Sequence, residues 1–302
     1  SNTGTLGIPE FGTNFVRGML KQTKPHNFGE LLQISGLSHG TNVWNGNADR
    51  LIEEGKANIS SVIGTRDKIM TDLTSFGLDS SDAFQIMEKV RKGKGIPEKY
   101  MQVLKENSSV PQWYINSMQK IQYMFPRAHA AAYVLSALRI AYFKVYFPTI
   151  YYSALFSVRA KDLTIDPVGI TQGKNKIQTL VKNYRGRYSE LNKEESKTLA
   201  IYEIVNEAWQ RGIEFKMVDL YKSEAFGWKI EGNKIILPFI ALPGLGDNVA
   251  KEIVAARSEH KFISKEDLMK RGSINKTLID FMDKHHMLDG LTEKNQMDLF
   301  SL

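Results

Sequence analysis

The run Phe125-Pro-Arg-Ala-His-Ala-Ala-Ala-Tyr133 brings a guanidinium (Arg127), an imidazole (His129) and a phenol (Tyr133) into what should be the first two turns of one helix. A spacing of four puts His129 and Tyr133 on the same face, and Ala130 to Ala132 add no bulk beside them. Pro126 suits a helix start and Pro148 a helix end, which predicts a helix over Arg127–Phe147. Arg and His beside the unpaired amides of a helix N-terminus suit an anion such as phosphate. The competing reading is a core helix whose His and Tyr make ordinary hydrogen bonds. From Val134 onward the helix reads as core.

Arg91, Lys92 and Lys94 share a loop with Gly93 and Gly95. Glycines allow close backbone approach, and successive amides can form an anion-binding concavity. Three cations beside them suit a triphosphate or a nucleic-acid backbone. The Gly-x-x-x-x-Gly-Lys-Ser/Thr spacing of a P-loop is missing, and a solvated basic loop at a helix C-terminus has the same composition. The segment Ile240–Arg257 is more specific. A short apolar helix, Pro243-Gly-Leu-Gly246 and an amphipathic helix match the helix-hairpin-helix pattern. Gly244 and Gly246 allow the tight turn and leave the next helix's first amides open to a phosphate, Leu245 lies between them, and Asn248 and Lys251 can add contacts. Such a motif holds the backbone without reading bases, so binding should be sequence-tolerant and salt-sensitive. A helix-turn-helix used only for packing is the alternative. Residues 264–288 read as a degenerate second hairpin, with Ser264 as N-cap and a turn at Gly272-Ser273. Near the C-terminus, Gln296-Met297-Asp298-Leu299-Phe300 has the form of a short peptide that docks in a preformed apolar pocket.

These groups need a scaffold. The chain has 302 residues, 42% of them hydrophobic, enough for one large core or two to three smaller ones. Lys and Arg outnumber Asp and Glu by 40 to 33, a net +7 that suits an anionic partner. The lack of cysteine excludes disulfides and thiolate metal sites, and no run of about eighteen apolar residues is present to span a membrane. The six histidines show no metal-ligand spacing, and no acidic set suits a two-metal site. An opening Ser-Asn-Thr without Met or signal peptide is expected of a piece of a longer protein. Periodicity predicts short helices at 14–22, 28–34, 47–54, 67–75, 82–91 (capped by Ser80 or Ser81), 98–106 and 111–122, with a polar loop over Ser35–Thr41. After the long helix come a buried helix over Pro148–Arg159, helices near 171–184 and 193–211, and a β-hairpin turning at Glu231-Gly-Asn233. Helices resume from 238 to 288. The fold class is mainly α.

Gly7-Ile-Pro-Glu-Phe-Gly12, Ile34-Ser-Gly-Leu-Ser-His-Gly40, Val90-Arg-Lys-Gly-Lys-Gly95, Phe125–Tyr133, the hairpin at Pro243–Gly246 and the tail Gln296–Phe300 occur in an order that resembles the C-family bacterial replicative polymerases, most of all the PolC-type DNA polymerase III alpha subunits. The resemblance covers essentially the whole chain. It implies a multi-helix fingers domain over 1–225 with a helical extension from about 160, a small helix-hairpin-helix duplex-binding domain with a short β-hairpin over 226–291, and a flexible clamp-binding tail over 292–302. It implies nucleotide binding by His129 and Tyr133, and by Arg127, Arg91, Lys92 and Lys94; duplex binding by Pro243, Gly244, Leu245, Gly246, Asn248 and Lys251; and clamp binding by residues 296–300. Ser35-Gly36 and His39-Gly40 fall in a segment resembling the border of the active-site cleft. Primer–template DNA, dNTP and a sliding clamp are the implied partners, in the cytoplasm at the nucleoid. The palm that binds Mg2+ is not in this sequence, so no metal ligand and no catalytic residue is expected here, and the segment alone should be inactive. The tail departs from the commoner pattern at Met297 and Asp298. The alternative is a non-enzymatic, sequence-tolerant DNA-binding module.

Overall fold

The computed structural model describes residues 3–159 and 165–295, and the chain divides into two compact units, Ser1–Ala141 and Tyr142–Leu302. The fold is mainly α, with one small sheet. The first unit holds α1 (Asn14–Thr23), α2 (Phe28–His39), α3 (Asp49–Glu53), α4 (Arg66–Ser75), α5 (Ser80–Val90), α6 (Glu98–Glu106), α7 (Gln112–Lys120) and most of α8 (Arg127–Tyr146).

Capping sets several of these starts. Thr13 caps α1, and Asn27 caps α2 by accepting from the Glu30 amide at 3.0 Å. The loop predicted over Ser35–Thr41 is instead helix as far as His39. Its polar, glycine-bearing composition suggests a turn, but Leu37 and Ser35 are buried and Gly36 lets α2 press against the Gly64 carbonyl. The α5 cap is Asp79, whose carboxylate accepts from the Ser81 amide at 2.8 Å, so the two serines read as caps are themselves helical. The core of this unit gathers Ile34, Leu37, Val62, Ile69, Leu73, Ile86, Val90, Leu104 and Met118. The buried Tyr114 joins it, donating to Asp72 Oδ2 at 3.0 Å.

The α8 helix corrects a second expectation. Beyond Val134 only a narrow stripe, with Ala137 and Lys144, is buried, while Leu135, Leu138, Tyr142, Phe143, Val145, Tyr146 and Phe147 are exposed. Large apolar residues line the outer face, so the expectation of a core helix from Val134 onward holds only for the narrow inner stripe.

The second unit begins with the end of α8 and continues through α9 (Pro148–Arg159), α10 (Pro167–Thr171), α11 (Lys174–Gly186) and α12 (Lys193–Gln210). Pro148 opens α9, where its missing N–H costs nothing. Asn192 and Glu195 form a reciprocal capping box on α12. A three-stranded sheet follows, β1 (Glu214–Lys216), β2 (Lys229–Glu231) and β3 (Lys234–Ile236), in the order β1-β3-β2. The hairpin between β2 and β3 turns where expected, with Gly232 in the left-handed region at φ 64°. The strand β1, which pairs parallel with β3, lies apart in sequence from the hairpin and carries no turn signal of its own. Phe156 stacks on Trp228 with ring centroids 4.7 Å apart and meets Phe215 edge-on, which fastens α9 to the sheet. The last helices are α13 (Asp247–Glu259), α14 (Lys265–Arg271) and α15 (Lys276–Lys284). Among the described residues no helix is long and apolar enough to cross a membrane.

Candidate functional site

In the first unit, His39, Phe125, His129 and Tyr133 form a ladder of rings. His39 stacks on Phe125 at 4.7 Å, Phe125 meets His129 at 5.1 Å, and His129 meets Tyr133 at 4.8 Å. The i, i+4 spacing read from the sequence accounts for the last step. The Phe125–His129 step also spans four residues, with Phe125 just ahead of α8, and the His39–Phe125 step depends on tertiary packing. Gly40 ends α2 with too little space for a β-carbon beside the Tyr123 carbonyl, and the Thr41 amide bonds that carbonyl at 2.9 Å. This pairing lays Gln122–Phe125 alongside the end of α2. Glu10 accepts from or pairs with His39 Nε2 at 2.6 Å, and holds its own backbone at φ 66°, an uncommon conformation for a non-glycine residue. His39 and Tyr133 are exposed and Phe125 half-buried, so the ladder offers ring surface to a flat ligand. From the sequence, His39 is placed only in a segment bordering the cleft, and Glu10 and Phe125 are given no site role. Their one signal in the sequence is that each lies within one of the quoted motif segments.

The basic loop joins the same Gln122–Phe125 segment. The Met124 amide bonds the Arg91 carbonyl at 3.3 Å, and Gly93, at φ 70°, has Gln122 O 2.6 Å from where a β-carbon would stand. Gly93 is therefore required by packing as well as by its backbone angle. Two of the three cations are already engaged. Glu88 takes a two-pronged contact from Arg91 and lies 3.0 Å from Lys92. Those bonds hold the Glu88 carboxyl down at about 2, so it stays charged at any neutral pH. Lys94 is exposed and has no ion-pair partner among the described residues. Arg127 stands apart from the ladder. Two positions from His129, it points about 200° away around the helix, into a cavity beside α4.

In the second unit, the expected apolar helix before the hairpin is only a 3-10 turn, Phe239–Ala241. Gly244 takes the left-handed conformation, φ 76°, whereas Gly246 is the extended N-cap of α13 at φ −85°. The tight turn thus depends on Gly244. A β-carbon on Gly246 would meet nothing within 4 Å, and the glycine leaves the amides of the α13 first turn without a side-chain cap. Pro243, Asn248 and Lys251 are exposed, but Leu245 is buried and anchors the loop from within. The second hairpin forms as read. Ser264 caps α14 at 3.0 Å, and Ser273 turns the chain at φ 53°. Thr292 and Glu293 bond the α14 amides, and Lys265 Nζ bridges Asp283 at 2.7 Å and Glu293 at 2.5 Å. Gln296–Phe300, read as clamp-binding, lie outside the described residues.

Two family models match separate parts of the chain. Residues 1–109 match the family model of the bacterial DNA polymerase III alpha subunit finger domain, and residues 212–297 that of the helix-hairpin-helix motif. The chain is 56% identical over 300 residues to a DNA polymerase III PolC-type of Pediococcus pentosaceus, covering 99% of this chain and 21% of that protein. It is 54% identical over 301 residues to the one of Lacticaseibacillus paracasei and 53% identical over 300 residues to the one of Listeria monocytogenes, with the same coverage. The chain therefore spans about a fifth of the length of the curated relatives it matches.

Proposed function

Because the chain belongs to the PolC-type DNA polymerase III family by its finger and helix-hairpin-helix segments, we propose that the full-length protein extends a DNA primer by nucleotidyl transfer and that this segment positions the substrates. The observation that carries the reading is the exposed ladder His39–Phe125–His129–Tyr133 beside the basic loop. The incoming dNTP and nascent base pair pack against the rings, with His129 and Tyr133 as the direct contacts. Lys94, with the charge left over from the Arg91–Lys92–Glu88 cluster, balances charge on the phosphates. Glu10 and His39 hold Phe125 in place.

The hairpin at Pro243–Gly246 grips the duplex backbone without reading bases, aided by Asn248 and Lys251. The tail Gln296–Phe300 tethers a sliding clamp and raises processivity through effective concentration. The work is done in the cytoplasm, at the nucleoid. Mg2+ would supply the activation of the primer hydroxyl and of the leaving phosphate. Among the described residues no group of three His, Cys, Asp or Glu side chains could hold a metal ion. Residues 1–302 alone are expected to extend no primer, which a primer-extension assay on that segment checks.

The test is made in the full-length protein. Stacking contributes about 1–3 kcal/mol per base, so His129→Ala and Tyr133→Ala should each raise the KM for dNTP about tenfold while leaving primer–template affinity unchanged. An unchanged KM in both variants would leave only a DNA-binding module that uses its hairpin.

A second expectation concerns that hairpin. Gly246→Ala should cost no more than about 1 kcal/mol, the difference between Gly and Ala at an N-cap, because its β-carbon meets no protein atom. The same substitution should weaken binding to every DNA sequence alike in a fluorescence anisotropy titration. Gly244→Ala should cost about 1–2 kcal/mol of stability from its left-handed backbone alone. A sequence-selective loss for Gly246→Ala would contradict backbone-only contact.

A further inference from the structure

A cavity of about 210 Å3 in the first unit lies on the side of α8 away from the ring ladder. The first turns of three helices line it: Asn27 and Gly29 of α2, Thr65 and Lys68 of α4, and Arg127 of α8. All three helices therefore direct the positive ends of their dipoles toward one space. No carboxylate is among the lining residues. Lys68 is held by Asp72 at 3.0 Å, and the Asp67 carboxylate accepts from the Arg127 amide at 2.7 Å. Arg127 is exposed and has no ion-pair partner among the described residues.

Thr65 identifies the cavity as a site. It is the N-cap residue of α4, yet its side chain makes no capping bond. The residue is only 1% exposed. Its methyl packs toward Gly36, where Thr65 Cγ2 stands 2.7 Å from an added β-carbon, and the residue lines the cavity. Among the described residues its hydroxyl has no hydrogen-bond partner. An N-cap threonine that forgoes its usual bond, in a cavity ringed by helix N-termini and one unbalanced cation, leaves donors for an external anion.

We infer that this cavity binds a single phosphodiester of a nucleic-acid strand, with Arg127 and the Thr65 hydroxyl as ligands and Lys68 as flanking charge. One uncompensated guanidinium matches the single negative charge of a phosphodiester, whereas a triphosphate carries several charges. Arg127 thus serves the strand, and His129 the nucleotide. The inference rests on the reading that the full-length protein binds DNA, but a failure of the nucleotide assignment shows separately, as an unchanged dNTP KM for His129→Ala.

The experiment uses the full-length protein, a fluorescein-labelled primer with a single-stranded template overhang, and anisotropy titrations across a salt series. Arg127→Gln should weaken DNA binding about tenfold and reduce the salt slope by about one. Thr65→Val should weaken it about threefold with an unchanged slope, and Thr65→Ser should restore wild-type affinity, which separates a lost hydroxyl from a misfolded α4. The KM for dNTP at saturating DNA should not change in any of the three. Unaltered DNA affinity in Arg127→Gln and Thr65→Val would overturn the inference. So would a dNTP KM that rises in Arg127→Gln, because the phosphate would then belong to the nucleotide.

Discussion

Glu207→Ala is expected to lower the stability of the second unit by about 3–5 kcal/mol, the usual cost of removing one partner from a buried ion pair. Lys144 is 2% exposed, and its Nζ lies 2.5 Å from Glu207 Oε1. The same oxygen accepts from the Tyr152 hydroxyl at 2.6 Å. Arg211 approaches it at 4.0 Å and donates to the Lys144 carbonyl at 2.9 Å. Removing the carboxylate takes a counter-charge from the Lys144 ammonium and a hydrogen-bond acceptor from the Tyr152 phenol in one step. Urea unfolding of the chain followed by circular dichroism measures the loss, and a change below about 1 kcal/mol would show that the pair is dispensable. The double variant Lys144→Met/Glu207→Leu should recover most of it, since well-packed apolar residues can replace a buried pair at little cost. The network also sets an alkaline limit. Burial, and then the bond to Glu207, push the Tyr152 phenol well above its ordinary value. This contribution is whole below the unfolded phenol pKa of about 10 and declines as pH rises past it.

Local signals in the sequence were legible where chemistry and structure are both local. The spacing of His129 and Tyr133, the glycine turn before β3 and the Ser264 cap all follow from neighbours within four residues, and all are present. The ladder was only half legible. Glu10, His39 and Phe125 are brought together from three separate segments, and no periodicity reports that Glu10 touches a histidine twenty-nine residues away. Competition among equivalent candidates hid other features. Asp79, Ser80 and Ser81 are all good caps, and the structure uses the first. The cluster Arg91–Lys94 looks like three available cations because Glu88, one helical turn earlier, was not counted against them. Arg127 was grouped with His129 by proximity in the chain, although two positions on a helix point to nearly opposite sides. The outer face of α8 failed for a different reason. Its apolar residues go all the way round, and which face is covered depends on packing partners and not on composition.

Gly36→Ala should be the most disruptive single methyl added to the first unit, costing about 3 kcal/mol or slightly more as an overpacked core position. Its β-carbon would stand well inside contact distance of the Gly64 carbonyl oxygen and 2.7 Å from Thr65 Cγ2. The Gly64 oxygen is main chain and cannot rotate away, so α2 or the Gly64–Thr65 segment must move. Either shift reaches function. His39, three residues on, supports Phe125 in the ring ladder, and Thr65 supplies the hydroxyl of the phosphate cavity. The variant should therefore lose thermal stability and, in the full-length protein, both dNTP and DNA affinity. Gly18→Ala is the control, because α1 is helical there and a β-carbon on Gly18 meets nothing within 4 Å. That change should stabilise the unit by about 0.5–1 kcal/mol through the entropy of the unfolded chain. Thermal denaturation of the two variants side by side reads the contrast. If Gly36→Ala melts with the wild type, the close approach of α2 to Gly64 is not what holds the ring ladder and the phosphate cavity in place.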